Sequence, residues 1–232
     1  MGKAANSSIS LKQIHVTDNF WNKYVHLVKD VIIPYQWDIL NDKLEDVETS
    51  HCIENFKIAA GEKEGEFQGA VFQDTDVAKW LEAVGFVLNY ERDEKLEALA
   101  DETIELIGRA QLPDGYLNTY FIIKEPDGRW SNLMEGHELY TAGHMIEAAV
   151  AYYEATGKHR FLEIVSKFAD LICETFGPEE GKIHGYPGHQ EIELALVKLY
   201  RVTNEKKYLD LAKYFIDLRG TGKNYFLEEE KR

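Results

Sequence analysis

The sequence repeats one pattern three times: an apolar helix, a short polar turn and an amphipathic helix. The turns read NYERDEKLEAL, EATGKHRFLEI and RVTNEKKYLDL, and the last two align at a spacing of 47 residues, with Thr156 on Thr203 and Phe161 on Tyr208. A helical unit repeated at such a spacing is typical of folds that stack helical hairpins. The pattern therefore predicts an all-α chain.

The two helices of each hairpin differ in their expected burial. The second helix has a single apolar stripe at the helical period, which predicts an outer helix with one buried face. The first helices, 77–90, 139–155 and 192–202, are apolar on more than one side, which predicts inner helices. A further helix, 19–41, precedes them, and Pro34 is expected to kink or divide it.

Long loops connect one hairpin to the next, and they favour a closed toroid over an open solenoid. The links AQLPDGYLNTYFIIKEPDGRWSNLMEGHE and FGPEEGKIHGYPGHQE are rich in glycine, aromatic residues and histidine, and they should emerge at one end of the stack. A scaffold has no need for such loops, whereas an enzyme builds its pocket from them. Strand signals are limited to YLNTYFIIK in the first link.

The charge balance excludes some classes of partner. The formal net charge is −15 at pH 7, which argues against nucleic acid and anionic membranes, because phosphate groups require clustered Lys and Arg. No apolar run approaches the ~18 residues of a membrane span, and the first residues lack a signal-peptide core, so we expect a cytoplasmic location. Cys52 and Cys173 show no CxxC spacing and are expected to be structural thiols.

Gln73 and Asp74, in FQDTDVAKW, are the first candidate site residues. Asp74 or Thr75 precedes a predicted helix and would cap its free amide groups. The alternative is that Gln73 and Asp74 face the pocket and bind hydroxyl groups of a substrate, for which an amide and a carboxylate are suitable. The sequence leaves both interpretations open.

The loop DGYLNTY is a second candidate. Asp114 and Gly115 mark a turn, and Tyr116 and Tyr120 are expected either to form a stacking wall or to pack against the rim of the barrel.

Histidines are concentrated in the two long loops and the helix starts beside them. His137, His144, His184 and His189 are four of the eight in the chain. Their spacing matches no common metal-ligand pattern and HExxH is absent, so we expect no metal site among them. At least two are expected to hydrogen-bond a substrate.

Acidic side chains are too numerous to identify a catalytic pair. Glycoside hydrolysis ordinarily uses two carboxyl groups. The loop carboxylates are Asp74, Asp76, Asp114, Glu135 and Glu191. Glu191 and Glu193 begin a helix, so the helix dipole already explains them.

Seven motifs, read together, resemble glycoside hydrolase family 127, the β-L-arabinofuranosidases. They are IPYQWDILND, NFKIAAGE, FQDTDVAKWLEA, DGYLNTYF, GHELYTAGHMIEAAVAYYEATG, FGPEEGKIHGYPGHQEIELALVKLYR and YFIDLRG. The similarity covers about residues 11–220. On this resemblance, residues 1–232 are the amino-terminal portion of an (α/α)6 toroid, with about half of the ring and no second domain.

The resemblance implies a longer protein, with β-sandwich domains after the toroid, that releases β-L-arabinofuranose from non-reducing ends with retention. It implies a cysteine nucleophile in a zinc site of three cysteines and a glutamate, with another glutamate as acid/base. Those residues belong to later parts of the barrel. Neither Cys52 nor Cys173 matches them, so no catalytic residue and no zinc ligand is expected here, and the isolated chain is expected to be inactive.

The same resemblance assigns the substrate-binding residues. His137, in the family's HE(L/M)Y motif, and His189, in its GHxEIELAL motif, match histidines that touch the arabinose ring. Gln73 and Asp74 match the FQD motif at the mouth of the inner helix. The expected partners are a neutral arabinose-containing oligosaccharide and either the rest of the barrel or a second copy of the chain, covering exposed inner-helix surface.

Two other hypotheses stay open. An unsaturated uronyl hydrolase would use aspartates such as Asp74 and Asp114 for acid/base catalysis, although the acidic surface and the few loop arginines count against an anionic substrate. A non-catalytic sugar-binding fragment would keep the histidines without the chemistry.

Overall fold

The computed structural model describes residues 9–222 and 224–229, and regular structure within them is helical. The helices are α1 (Asn19–Leu27), α2 (Ile33–Leu40), α3 (Cys52–Ala59), α4 (Asp74–Tyr90), α5 (Glu94–Ala110), α6 (Thr119–Ile123), α7 (Glu138–Thr156), α8 (Arg160–Thr175), α9 (Ile192–Thr203), α10 (Lys206–Arg219) and α11 (Tyr225–Glu229). Short 3-10 segments lie at Leu11–Gln13 and Pro126–Gly128. The all-α prediction is confirmed.

The strand expected in YLNTYFIIK is wrong. Thr119–Ile123 form α6, because the side chain of Asn118 accepts a hydrogen bond from the backbone N–H of Phe121 (3.2 Å) and caps the helix. The β-branched and aromatic residues of this segment pack within the helical core instead of a sheet, so their strand propensity is overridden. In the described part of the chain, β pairing is limited to an isolated bridge between Phe176 and Ile183.

The helices form two layers. α4, α7 and α9 pack side by side as an inner row, while α5, α8 and α10 lie outside them. α8 buries one stripe that includes Phe161, Val165 and Phe168, as the sequence predicts for an outer helix. The assignment of inner and outer helices is confirmed, and the arrangement is that of a partial α/α toroid.

The 47-residue repeat reappears in the hydrogen bonds of two hairpin turns. Thr156 Oγ1 donates to Tyr152 O (2.8 Å) and accepts from Lys158 N (3.2 Å). Thr203 Oγ1 donates to Leu199 O (2.8 Å) and accepts from Glu205 N (3.2 Å). The residue after each threonine, Gly157 or Asn204, has a positive φ that ends the inner helix. The two turns are structurally equivalent.

Two glycines let the inner helices approach closely. A Cβ on Gly85 of α4 would lie 2.9 Å from backbone atoms of Ala151 and Tyr152 in α7. A Cβ on Gly143 of α7 would lie 3.0 Å from the backbone nitrogen of Ile192 in α9. Any larger residue at these positions would push the inner helices apart.

The predicted helix 19–41 is divided, as expected near a proline. α1 passes through a π turn at Val28–Ile32 into α2, whose first turn contains Pro34. A wider turn at this point is consistent with proline, which lacks an N–H and clashes with the preceding turn. Trp80 of α4 donates its indole N–H to Ile33 O (3.1 Å), which fixes the start of α2 against the inner row.

Large apolar side chains stay exposed mainly from α1 through α2, whereas the expected exposure of the inner helices is limited to positions such as Phe86 of α4. The exposed side chains include Phe20, Trp21, Val31, Tyr35 and Phe86. An apolar groove of about 620 Å³, lined by Leu11, Trp21, Tyr24 and Phe86 among others, lies in the same region. Within the described residues, no helix combines the length and the hydropathy that a transmembrane segment needs.

Candidate functional site

His137 and His189 meet at the end of the inner row where the two long loops emerge. Their ring centroids lie 4.6 Å apart with the planes inclined by 39°. His137 directly precedes α7, and His189 lies just before α9. The prediction that these loops share one end of the helical stack is confirmed.

The backbone and ring of His137 are fixed by local contacts. Its φ of 56° places it in the left-handed region, which is uncommon for a residue with a side chain. Its Nδ1 contacts the carbonyl oxygen of Glu135, and because a carbonyl only accepts, Nδ1 carries the hydrogen. In the neutral ring, Nε2 is therefore the nitrogen with a free lone pair.

Glu138, the next residue, anchors the start of α7 to the preceding loop. Its Oε1 accepts from the hydroxyl of Tyr116 and its Oε2 accepts from the backbone N–H of Trp130 (2.7 Å). Burial raises the pKa of Glu138 to about 7, against the lowering effect of these two hydrogen bonds and of Arg129. The contacts of this carboxyl hold the loop that carries His137.

Aromatic side chains border the histidine pair on two sides. The ring of Phe72 lies 5.1 Å from that of His137, and the ring of Tyr140 lies 5.3 Å from that of His189. Lys79 Nζ lies 5.6 Å from the centroid of the Tyr140 ring. These residues form a partly exposed, mixed aromatic and polar surface, and we call Phe72, His137, Tyr140 and His189 the histidine wall.

Gln73 lines a neighbouring cavity of about 700 Å³ together with Asp76, Lys79 and Trp80. Its Nε2 donates to Asp76 Oδ2 (2.9 Å) and its Oε1 accepts from Ala70 N (3.1 Å). Gln73 is thus at the mouth of α4, as predicted, and is joined to the histidine wall through the adjacent Phe72. Its role in binding substrate stays a prediction.

Asp74 is buried and does not line the cavity beside Gln73. Its Oδ2 accepts from Thr119 N (2.7 Å) and its Oδ1 from Thr119 Oγ1. Burial raises the pKa of Asp74 to about 6, although both hydrogen bonds from Thr119 lower it. The prediction that Asp74 or Thr75 caps α4 is wrong, because no side-chain hydrogen bond caps this helix. The carboxyl of Asp74 instead ties α4 to α6, and this geometry does not support its predicted contact with sugar.

The tyrosines of DGYLNTY pack inside the protein and do not form a stacking wall. Tyr116 is fully buried, with its ring edge against Trp130 and Phe168. Tyr120 contacts Phe67 and donates its hydroxyl to Glu125 (3.0 Å). Of the two interpretations that the sequence left open, packing against the rim is correct.

The other two histidines of the predicted set are not members of the wall. His184 is exposed, and its Nε2 contacts Glu179 O at 3.1 Å. His144 lies one turn deeper on α7, with its ring 4.6 Å from Tyr140. Burial lowers the pKa of His144 to about 4, so its imidazole is neutral at pH 7.

Beneath Tyr140, His144 meets two carboxyl groups, Glu147 and Glu191. The Nδ1 of His144 lies 3.5 Å from Glu191 Oε1, and Lys198 forms an ion pair with Glu147. Burial and the neighbouring Glu147 raise the pKa of Glu191. The position of Glu191 at a helix start, where the dipole favours a carboxylate, therefore does not by itself account for this residue.

The zinc site implied by the sequence resemblance does not fit the two cysteines of this chain. Cys52 is buried in α3, with its Sγ 3.3 Å from Gln73 O, whereas Cys173 lies on the outer helix α8, with its Sγ 3.9 Å from Lys207 O. Across the described residues, neither thiol belongs to a cluster of His, Cys, Asp and Glu ligand atoms. The three-cysteine, one-glutamate set is not formed by these residues.

The sequence over residues 13–231 matches a family model described as the beta-L-arabinofuranosidase, GH127 catalytic domain. The chain belongs to this family. It is 45% identical to the non-reducing end beta-L-arabinofuranosidase of Bifidobacterium longum subsp. longum, with 94% of this chain and 36% of that protein aligned. The family-127 resemblance seen in the sequence motifs is confirmed.

Solved structures of family 127 proteins share the fold of the chain. A GH127 beta-L-arabinofuranosidase from Geobacillus stearothermophilus T6 superposes with a TM-score of 0.92 at 61% identity, covering 94% of this chain and 34% of that one. Another GH127 beta-arabinofuranosidase superposes with a TM-score of 0.85 at 38% identity, covering 93% and 34%. The family 127 chain described here therefore spans about a third of the length of these relatives.

Four residues of the site, Phe72, Glu138, Tyr140 and Glu147, are not identified by the sequence alone. Glu138 and Tyr140 lie in the same HELY segment as His137, but an acidic residue at a helix start has an ordinary dipole explanation. Glu147 is the only charged residue in the apolar stretch MIEAAVA of an inner helix. A charged residue in such a stretch is rarely buried without a partner, and this feature of the sequence could have identified it.

Proposed function

We propose that the chain forms one wall of the arabinofuranose pocket of a retaining β-L-arabinofuranosidase. The observation that carries the proposal is the contact between His137 and His189, which come from two loops and meet at a partly exposed surface. Imidazole nitrogens can donate to and accept from sugar hydroxyls. The exposed ring of Phe72 adds an apolar surface against which the C–H face of a furanose can pack.

The nucleophilic chemistry of such an enzyme has to come from outside this chain. A reactive cysteine needs a lowered pKa so that it is a thiolate at neutral pH. Burial raises the pKa of Cys52 well above its usual value and raises that of Cys173 to about 12. We therefore expect the isolated chain to bind the sugar without hydrolysing its glycosides, and the zinc site to belong to the full-length protein.

The alternative uronyl hydrolase chemistry has little support from the geometry. Its two candidate aspartates are already engaged: Asp74 with Thr119, and Asp114 with Arg129 Nη1 (2.9 Å) and Tyr116 N (3.1 Å). Neither is poised as a free acid or base beside the histidine wall. A neutral arabinoside remains the proposed substrate.

The exposed apolar surface of the partial toroid supports the proposed partner. Trp21, Tyr24 and Phe86 line a groove that is almost entirely apolar, and patches of this kind are typical of interfaces. In the full-length protein, the rest of the toroid would cover them. For the isolated chain, a second copy is the alternative occupant. The cytoplasmic location stays a prediction.

A binding measurement with a matched control tests the role of the histidines. Replacement of His189 by Ala should weaken L-arabinose binding by about tenfold or more, because it removes a polar contact without burying a new group. His184→Ala, which removes another exposed loop histidine outside the wall, should leave the affinity unchanged. Equal affinities for wild type and His189→Ala, by calorimetry or NMR titration, would contradict the proposal.

A further inference from the structure

His144, Glu147 and Glu191 form a compact set of ligand atoms below the histidine wall. Their nitrogen and oxygen atoms all lie within 4.8 Å of one another. His144 and Glu147 are three residues apart on α7 and so share one face of that helix, while Glu191 enters from the residue before α9. The set therefore bridges two neighbouring inner helices.

Several of these atoms are buried without a hydrogen-bond partner. Both ring nitrogens of His144 and the Oε1 of Glu191 are inaccessible to solvent and make no hydrogen bond. Their closest mutual approach is 3.5 Å, between His144 Nδ1 and Glu191 Oε1. Buried polar atoms of native proteins are usually paired. The unpaired nitrogen and oxygen atoms here can therefore donate lone pairs to a bound metal ion.

The local charge also favours a cation. Three carboxyl groups meet here, because Glu82 of α4 faces the same point, and Lys198 is the amine that contacts them, at Glu147 Oε1 and 3.9 Å from Glu82 Oε1. Lys198 contacts Oε1 of Glu147, and Glu147 also shares a side-chain hydrogen bond with Glu191, so a metal ion would displace the proton that the two carboxyl groups share. The Lys198 side chain is 35% exposed, so it can move aside without leaving a buried charge unpaired.

We propose that His144, Glu147 and Glu191 bind one divalent transition-metal ion of the zinc class. One imidazole and two carboxylates suit zinc, whereas calcium and magnesium prefer oxygen ligands alone. Bonds to zinc of about 2.0–2.2 Å require the three side chains to close by roughly an ångström around the ion. Three protein ligands leave a fourth position for water.

Such an ion would link the start of α9 to the middle of α7, the two inner helices whose starts carry the histidine wall. Glu191 directly precedes α9, whereas His144 and Glu147 lie about two turns into α7, which begins just after His137. The site would therefore fix the spacing of the two inner helices below the histidine wall. Metal binding at this site does not require the sugar, so it can be tested independently of the proposed sugar pocket.

A zinc titration of the 232-residue chain against a competing chromophoric chelator tests the proposal. We expect one tightly bound ion per chain and a rise in the thermal midpoint with zinc, since an ion that binds only the folded state stabilises it. His144→Gln and Glu191→Gln should each lower the zinc affinity by about tenfold or more. Far-UV circular dichroism of each variant checks that it is folded.

Two control variants identify the site. His137→Ala combined with His189→Ala removes the other close histidine pair, and His184→Ala removes an exposed loop histidine, and both should keep the wild-type zinc affinity. The proposal is overturned if the wild-type chain binds no stoichiometric zinc, if the folded His144→Gln and Glu191→Gln variants keep full affinity, or if the affinity is lost in the His137/His189 variant instead.

Discussion

The imidazole rings of His137 and His189 lie 4.6 Å apart, although they come from different loops and from the starts of two different inner helices. Their separation in the sequence does not predict this contact. The contact follows from the packing of α7 beside α9, where Gly143 allows the two backbones to approach closely. Several expected outcomes depend on this geometry.

Phe72→Ala should weaken sugar binding while leaving stability nearly unchanged. The ring of Phe72 touches His137 and is 41% exposed, so its removal takes an apolar surface from the wall and opens little cavity in the core. Phe86→Ala is a matched control, because that ring is 45% exposed and lies on the apolar groove away from the wall. L-arabinose titration of both variants checks the prediction, and an equal loss of affinity in the two would contradict it.

Glu138→Gln should change how stability depends on pH. The pKa of Glu138 is raised to about 7 in the folded chain, above its ordinary value near 4.5. The folded state therefore holds this proton more tightly, and its contribution to the free energy of unfolding is lost as pH rises from about 4.5 to 7.

Urea unfolding at pH 5 and pH 8 measures that loss. The decrease in stability between the two pH values should be smaller in Glu138→Gln than in the wild type. Because other buried groups titrate in the same range, the difference between the two proteins isolates Glu138. An identical pH profile for both would show that this carboxyl is not held in its protonated form.

Thr119→Val should destabilise the chain by about 1–3 kcal/mol, because it leaves one buried oxygen of Asp74 without its hydroxyl donor. Thr103→Val is the matched control. The Thr103 hydroxyl is also buried, but it donates to Leu99 O of its own helix, so its loss should cost less. Chemical denaturation of both variants compares them, and a control as unstable as Thr119→Val would contradict the link between α4 and α6.

Gly85→Ala should destabilise the inner row by about 1–3 kcal/mol, since the added methyl group would lie 2.9 Å from the backbone of α7. Gly108→Ala, on the outer helix α5, meets the ends of the Arg160 and Ile164 side chains, which can move. Alanine also favours the helix, so Gly108→Ala should be neutral or stabilising. Thermal unfolding of the two variants tests this, and equal destabilisation would count against the close contact of α4 and α7.

The fold was largely predictable because hairpin repetition is a local property. Thr156 and Thr203 align in the sequence and make the same hydrogen bonds in the structure, since each ends an inner helix before the same kind of turn. The YLNTYFIIK segment contains a helix although its residues favour a strand, because the capping by Asn118 outweighs strand propensity.

The site was less predictable because its contacts join distant residues. Asp74 hydrogen-bonds to Thr119 of α6 instead of capping α4, and no regular spacing in the sequence predicts a contact between these two residues. Glu147 and Glu191 lie on different helices, and only the close packing of α7 and α9 brings them together beside His144. His137 and His189 can be identified from family motifs, but only the folded structure shows that their rings are in contact.

The most direct test of the proposed pocket is an NMR titration of the chain with L-arabinose, following the imidazole signals of assigned histidines. We expect saturable shifts at His137 and His189, and none at His184 or at His159, which packs against Tyr153. Unchanged signals at His137 and His189 at saturating sugar, in a chain shown to be folded, would contradict the assignment of the histidine wall to sugar recognition.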